Sequence, residues 1–175
     1  MANFAIDLAP LRKSKDFSLL WAAGLISYFG SMITYVAMPF QIKELTDSYV
    51  AVAISGLVEI VPLVIFGLYG GVLADALDRK KLIWVTEALS LLFTGMLLIN
   101  SMMDSPNLLL IYIVSGLFAA TSGLRQPAMQ AALPRLVDHE DMTAAAALMS
   151  LRWQVGVIVG PAIGGILIST YSVAV

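Results

Sequence analysis

The sequence predicts an all-α integral membrane protein folded as a multi-pass helical bundle. Hydrophobic residues make up 59% of the chain, charged residues only 13%, and the mean hydropathy is +0.88. Ordinary soluble domains contain roughly 45–50% apolar and about 25% charged residues, so this composition is suited to lipid. Five apolar stretches reach the roughly 20 residues needed to cross a hydrocarbon core about 30 Å thick. We expect the five spans at about 17–40, 50–74, 82–102, 108–128 and 144–171.

Composition also excludes several kinds of chemistry. The chain has no cysteine, which excludes a disulfide framework, a thiolate metal site and a cysteine nucleophile. Its single histidine, His139, excludes a metal centre with several histidine ligands. A formal net charge of -2 gives no support for nucleic-acid binding. We therefore expect no cofactor, no metal and no nucleic-acid partner.

The basic residues indicate how the chain is threaded through the membrane. We expect residues 1–16 to form a cytoplasmic N-terminal segment and residues 17–175 to form the membrane domain. Nearly all the lysines and arginines fall in segments on one predicted side: Arg12, Lys13, Lys15, Arg79, Lys80, Lys81, Arg125 and Arg135. Only Lys43 lies in a connection on the opposite side. The positive-inside rule therefore predicts a multi-pass protein of the cell membrane with its N-terminus in the cytoplasm.

Basic residues before an apolar run are also typical of a signal peptide. Here the run is about twice the length of a signal-peptide core and four more runs follow, so we interpret it as a retained first span. With an odd number of crossings the chain would end on the outer side, directly after an apolar run. We therefore expect a truncated chain.

The connections between spans are short, with about eight residues each at Gln41–Ser48 and Asn100–Asn107. Such short loops predict that spans adjacent in sequence pack as antiparallel pairs. A longer connection joins the fourth and fifth spans. There, Pro127 and Pro134 interrupt the helix, and Asp138 is suited to cap the fifth span.

The connection between the second and third spans is a polar hairpin within the run GVLADALDRKK, residues 71–81. We expect Gly71 to admit a neighbouring helix, and Asp75 to lie as an anion at the membrane boundary beside the cations of Arg79 and Lys80. Asp78 lies where the chain turns, and aspartate tolerates the left-handed conformation. The positive-inside rule accounts for the cations of this hairpin but not for Asp75.

This run resembles the signature loop of the major facilitator superfamily, in which Gly, Asp and Arg follow one another at intervals of four. The resemblance implies that Asp75 and Arg79 form a charge latch that favours an outward-open state. Two positions depart from the common pattern, since Ala76 stands where a basic residue is usual and Asp78 where glycine is usual. This variant resembles the branch containing drug efflux pumps and the enterobactin-exporter-like siderophore transporters.

The fifth span contains a second group of motif residues, Gly156, Gly160, Pro161, Gly164 and Gly165. Glycines at intervals of four make a stripe with almost no side chains, where another helix can pack closely, and proline bends a helix. The spacing resembles the antiporter motif of superfamily exporters.

The exit of the fourth span, Arg125–Val137, is similar to the same exporter branch. Three roles are open for Arg125: an ion pair with Asp75, an ion pair with Glu87, or contact with lipid phosphates. Glu87 lies at a shallow depth on the third span. We expect it to be a structural partner of Arg125 or Arg79.

Glu59 and Arg152 both lie near the middle of predicted spans. Each would cost roughly 2.5–3.5 kcal/mol if it faced lipid, so we expect both to face the bundle interior or water. Two interpretations remain open. Glu59 either carries protons or contacts substrate, which requires Arg152 to be remote or drawn away, or forms a structural ion pair with Arg152. Aromatic residues could line a substrate cavity or contact lipid; beside Arg152, Trp153 is the one we favour.

The resemblance extends from the first to the fifth span and implies the N-terminal five helices of a twelve-helix fold. Such folds have two six-helix halves with substrate held between them. It implies export of a small organic molecule, drug-like or siderophore, by proton antiport through alternating access. We expect the chain to need its missing C-terminal half. The alternatives are a proton-coupled importer and a non-transporting membrane subunit. A membrane enzyme is disfavoured because no His, Asp and Glu cluster shares one depth.

Overall fold

The computed structural model describes residues 7–171, and this part of the chain contains helices and no strands. The helices are α1 (Ala9–Lys13), α2 (Lys15–Thr46), α3 (Tyr49–Ala76), α4 (Arg79–Ser101), α5 (Leu108–Ala132) and α6 (Met142–Tyr171). Single 3-10 turns at Leu133–Arg135 and His139–Asp141 join α5 to α6. Within residues 7–171, five helices, α2 to α6, are long and apolar enough to cross a membrane. The predicted fold class is confirmed.

Side-chain caps define where several of these helices begin. Ser14 Oγ accepts a hydrogen bond from the Phe17 amide at 3.2 Å and so starts α2. Asn107 Oδ1 accepts from the Leu109 and Leu110 amides at 2.9 and 3.2 Å and starts α5. Caps of this kind satisfy amides that have no partner within the helix. They let most helices extend past the apolar stretches from which the spans were predicted.

The expected left-handed conformation of Asp78 is wrong. Asp78 has φ -65° and ψ 111°, and its Oδ1 accepts hydrogen bonds from the Lys80 and Lys81 amides at 2.9 and 3.2 Å. It therefore caps α4, and the extended backbone that a cap requires makes the turn. Within the described residues, Asp47, at the end of α2, is the only non-glycine residue with a positive φ.

Two of the three most extensive helix contacts join helices that lie two or four apart in the order of the chain. α2 packs along α6, α3 packs along α5, and both pairs are parallel. Among helices adjacent in sequence, only α4 and α5 form an extensive antiparallel pair, so the expected pairing of all neighbours is wrong. A short loop requires only that two helix ends meet, whereas close packing along a helix depends on small side chains at the contact. The starts of α2, α4 and α6 lie together at one end of the bundle.

The register of α2 against α6 is constant over most of their length. Trp21 Nε1 donates a hydrogen bond to the Leu148 carbonyl at 2.9 Å, and Cβ atoms added to Gly156 and Gly160 would overlap Tyr28 and Met32. The partners in each of these contacts are 127 or 128 positions apart in sequence. A nearly constant offset at successive contacts is what a parallel pair of helices produces.

The backbones of α3 and α5 approach each other closely at glycines. A Cβ atom added to Gly123 would lie 2.8 Å from the Leu63 carbonyl oxygen and 2.9 Å from the Gly67 amide nitrogen. A Cβ on Gly70 would lie 2.9 Å from the Gly123 carbonyl oxygen. Real side chains do not tolerate such distances. Gly70 and Gly123 therefore allow these two helices to touch.

Of the three clusters of buried apolar side chains in the described residues, two lie at opposite ends of the bundle. One joins α2, α4 and α5 through Met38, Ile42, Phe93, Leu97, Ile111 and Val114. The other joins α2 to α6 through Phe17, Ala145 and Leu148. Many other large apolar side chains are exposed, as expected of helices whose outer faces contact lipid.

Candidate functional site

The hairpin between α3 and α4 is connected to the end of α5 through Arg79. Arg79 Nη1 donates a hydrogen bond to the Ala131 carbonyl at 2.9 Å, and its Nη2 lies 3.5 Å from Asp75 Oδ1. The Asp75 side chain is 79% exposed, whereas that of Arg79 is 24% exposed. Lys80 is exposed one position further along. The carboxylate of Asp75 is thus held loosely by a cation that is itself held by a neighbouring helix.

Gly71 does not admit a neighbouring helix within residues 7–171, because no atom lies within 4 Å of a Cβ added there. The expectation for Gly71 is wrong: the preceding residue, Gly70, makes the close contact with α5. A one-residue shift turns a helical position by about 100°. The sequence pattern alone did not show which of the two adjacent glycines faces α5.

Three of the four motif glycines on α6 face α2. A Cβ on Gly156 would overlap the ring of Tyr28, and one on Gly160 would overlap Met32. Gly164 lies in ordinary contact with Ile33, whose Cα would be 3.5 Å from an added Cβ. Gly165 faces open space, and Pro161 lies inside the helix. The stripe thus receives the larger side chains of α2.

Glu87 and Arg125 form a half-buried ion pair between α4 and α5. Glu87 Oε1 lies 2.7 Å from Arg125 Nη1, and the two side chains are 27% and 16% exposed. Of the partners considered for Arg125, the structure places Glu87 beside it. Asp75 instead lies beside Arg79.

The structure does not bring Glu59 and Arg152 together. Within residues 7–171, no ion pair joins them, and they lie on the separate helix pairs α3–α5 and α2–α6. At about 1.5 Å per residue, Glu59 is about 25 Å from the α4 end of α3, while Arg152 is only about 15 Å from the start of α6. Both distances are measured from the same end of the bundle, so the two depths differ by about 10 Å, and the expectation that both residues lie near mid-span was too coarse to pair them. Glu59 is partly buried.

Arg152 lies in a cavity of about 520 Å³ between α2, α5 and α6. Its guanidinium packs over Gly24 of α2, where an added Cβ would overlap Nη1. Nη1 is buried and has no hydrogen-bond partner in the described structure. The cavity walls also contain Tyr28, Arg125, Gln126, Met129, Gln130, Leu133, Ala146, Met149, Ser150, Trp153 and Gln154.

The aromatic residues divide between this cavity and other places. Tyr28 and Trp153 line it, as considered for Trp153 from the sequence. Tyr112 Oη donates to the Ala51 carbonyl at 2.9 Å, which joins α5 to α3. Trp84 is 69% exposed on α4, a position typical of contact with lipid.

Sequence reasoning missed the link between α1 and the start of α6. Lys13 Nζ donates to Asp141 Oδ1 at 3.1 Å, and this hydrogen bond and the negative charge of Asp141 raise the pKa of Lys13. A second cavity of about 500 Å³, lined mainly by polar residues, surrounds the pair. The short apolar segment around Pro10 was the sequence signal that could have indicated this link. In the described part of the chain, no three His, Cys, Asp or Glu side chains are arranged to hold a metal ion.

Comparison with known proteins agrees with this architecture. A family model described as transmembrane secretion effector, MFS_3, matches residues 5–175. The chain is 33% identical to the enterobactin exporter EntS of Shigella boydii serotype 18 over 98% of this chain and 41% of that protein. It is also 33% identical to the enterobactin exporter EntS of Salmonella choleraesuis, over 98% and 42% respectively. The chain thus spans about two fifths of the length of these relatives. No solved structure matches it.

Proposed function

Because the chain belongs to the transmembrane secretion effector family of the major facilitator superfamily, we propose that it is part of an exporter of small organic molecules. The observation that carries this proposal is similarity to proteins named enterobactin exporters along 98% of the chain. The substrate class we propose is a siderophore or a drug-like compound. The remaining helices of the transporter would complete the substrate cavity.

We propose that export is driven by proton antiport through alternating access. The glycine stripe of α6 supports this mechanism because its spacing resembles the antiporter motif of superfamily exporters, and its glycines receive Tyr28 and Met32 of α2. We further propose that the protein lies in the cell membrane with its N-terminus in the cytoplasm. The starts of α2, α4 and α6, with Lys13 and Lys80 nearby, lie at one end of the bundle, and the positive-inside rule assigns that end to the cytoplasm.

The test uses the full-length protein that contains this chain. Everted membrane vesicles, whose interior corresponds to the cell exterior, should accumulate enterobactin when their interior is acidified. A protonophore should abolish accumulation. Accumulation only in right-side-out vesicles would favour the importer, and transport in neither orientation would favour the non-transporting subunit.

We expect Glu59→Gln to reduce proton-driven accumulation at least about tenfold, because glutamine cannot carry a proton. Exchange of labelled for unlabelled substrate across the membrane needs no net proton movement and should continue. Glu59 suits this role because no ion pair holds it in the described structure. Glu44→Gln, at an exposed position of α2, is the matched control and should leave both activities unchanged. If Glu59→Gln retained full proton-driven accumulation, Glu59 would not be the proton carrier.

We expect Asp75→Asn to slow transport about two- to fivefold, as expected for the loss of an exposed ion pair contributing about 0.4–1 kcal/mol to one state. Initial rates in the everted vesicles measure this change, with expression checked by immunoblotting. Asp78→Asn is the control, because Asp78 lies in the same hairpin and asparagine caps helices as well as aspartate does. Equal rates for Asp75→Asn and wild type would remove the latch assignment.

A further inference from the structure

The cavity of about 500 Å³ beside α1 is bounded by segments that lie just outside the apolar spans. Its walls come from the end of α1 and the start of α2, at residues 10 and 13–16, and from the connection between α5 and α6, at residues 134–138 and 141. Phe17, the first apolar residue of α2, is fully buried directly after this wall. The hydrocarbon core of a bilayer is about 30 Å thick and the headgroups extend it to about 40–45 Å, so a wall directly outside the spans lies among the headgroups.

One ion pair in the wall of this cavity is already complete. Lys13 Nζ lies 3.0 Å from Asp141 Oδ2 and donates a hydrogen bond to Asp141 Oδ1 at 3.1 Å. Both oxygens of the carboxylate thus have a partner. The charges of Lys13 and Asp141 neutralise each other, and the pair ties α1 to the start of α6.

The other charged side chains of the wall have no such partner. They are two cations and two carboxylates, Lys15, Arg135, Asp16 and Asp138, and all are exposed. Within residues 7–171, none of the four forms an ion pair. Asp138 was expected to cap the fifth span, yet its side chain makes no capping hydrogen bond. Equal numbers of cations and carboxylates give the wall no net charge, which favours neither a simple anion nor a simple cation.

A ligand suited to this wall carries both signs of charge. Arginine and lysine bind phosphate through charge-assisted hydrogen bonds. A primary ammonium donates three hydrogen bonds, which carboxylates accept. Phosphoethanolamine joins a phosphate to a primary ammonium through a short carbon linker. A volume of about 500 Å³ is within the range of small-molecule sites, and the surrounding headgroups supply this group at high local concentration.

We propose that this cavity binds the phosphoethanolamine headgroup of a membrane phospholipid, with Lys15 and Arg135 on the phosphate and the two unpaired carboxylates on the ammonium. The site goes beyond the proposed transport function, because it shares no lining residue with the cavity around Arg152. A bound headgroup would join the start of α2 to the connection between α5 and α6. Soluble phosphoethanolamine has the same chemistry, so the test also separates these two sources.

The test compares dioleoyl phospholipids that differ only in their headgroups: phosphatidylethanolamine, phosphatidylcholine and phosphatidylglycerol. Full-length protein in detergent is titrated with each lipid, and native mass spectrometry measures the bound fraction. Choline has the same charge as ethanolamine, but its methylated nitrogen donates no hydrogen bond. We expect the ethanolamine lipid to bind at least about threefold more tightly than either of the others, because only its ammonium makes charge-assisted hydrogen bonds to the carboxylates.

Substitution of the carboxylates tests the ammonium side of the site. Asp138→Asn should reduce the preference for ethanolamine over choline, and Asp16→Asn in the same chain should remove it, while the choline lipid binds as before. Glu140→Gln is the matched control, since Glu140 is an exposed acid of the same connection that does not line the cavity. Asp138→Asn should unfold at the same temperature as wild type, because the carboxylate of Asp138 caps no helix.

Substitution of a cation tests the phosphate side. Arg135→Gln should weaken binding of all the lipids by a similar factor of about threefold, because they share the phosphate. Lys81→Gln is the control. Lys81 is an exposed cation at the start of α4, at the same end of the bundle, and it does not line the cavity. Its loss should leave the three affinities unchanged.

Equal binding of the ethanolamine and choline lipids to wild type would overturn the proposal, as would an unchanged preference when both carboxylates are replaced. Tighter binding of phosphatidylglycerol would also overturn it, because the cations alone would then select the ligand. Displacement of bound lipid by an equal concentration of soluble phosphoethanolamine would overturn the membrane source, whereas retention of the lipid would support it. Binding is measured without transport, so this result is independent of the proposed function.

Discussion

Replacing Gly123 with alanine is expected to destabilise the bundle by about 1–3 kcal/mol, the usual range for forcing extra atoms into a packed interior. The added methyl would lie 2.8 Å from the Leu63 carbonyl oxygen and 2.9 Å from the Gly67 amide nitrogen. Both atoms belong to the backbone of α3, so no change of side-chain conformation can make room. The two helices would have to separate. Unfolding by increasing fractions of SDS, followed by circular dichroism and tryptophan fluorescence, measures the loss.

Gly95 provides the matched control. It lies within α4 with no atom within 4 Å of an added Cβ. Alanine is a better helix former than glycine, so Gly95→Ala should be neutral or stabilise the protein by up to about 1 kcal/mol. The same substitution is thus expected to have opposite effects at the two sites. A Gly123→Ala protein as stable as Gly95→Ala would show that α3 and α5 do not touch along their backbones.

The number and order of the membrane helices could be predicted from the sequence because each span depends on local composition. A long apolar run must cross the bilayer as a helix, since its backbone has no other hydrogen-bond partners there. Helix neighbours depend on which faces fit together, and this is a tertiary property. Gly70 and Gly71 are adjacent and identical residues, yet only Gly70 contacts α5.

The candidate site, like the fold, could be predicted from the sequence only in part. The spacing of Gly156, Gly160 and Gly164 repeats every four residues on one helix, so their common face could be predicted and is found against α2. The partner of Arg152 could not be predicted, because the position of a residue along a span does not specify which helix lies opposite. Glu59 was the candidate because both residues were expected near the middle of their spans, but the two differ in depth by about 10 Å and lie on separate helix pairs. An orphaned nitrogen is visible only in three dimensions.

Replacing Glu87 with glutamine is expected to destabilise the protein by about 2–3 kcal/mol. This is below the roughly 3–5 kcal/mol found when one partner of a fully buried ion pair is removed, because both side chains retain some exposure. Glu87 Oε1 lies 2.7 Å from Arg125 Nη1, with side-chain exposures of 27% and 16%. The substitution would leave the cations of Arg125 and Arg152 in one cavity without a carboxylate. Stability in the same SDS titration measures the effect.

A double-mutant cycle separates the ion pair from other contacts of these residues. Glu87→Gln with Arg125→Gln removes both charges and should recover most of the stability lost in Glu87→Gln alone, since no unpaired charge remains on either residue. Asp47→Asn tests an exposed pair as the control. Asp47 pairs with Lys43, and its side chain is 97% exposed, so its loss should cost at most about 0.5 kcal/mol. A coupling energy between Glu87 and Arg125 no larger than this control would mean that water or lipid headgroups screen the pair in the membrane, and that the ion pair does not hold α4 to α5.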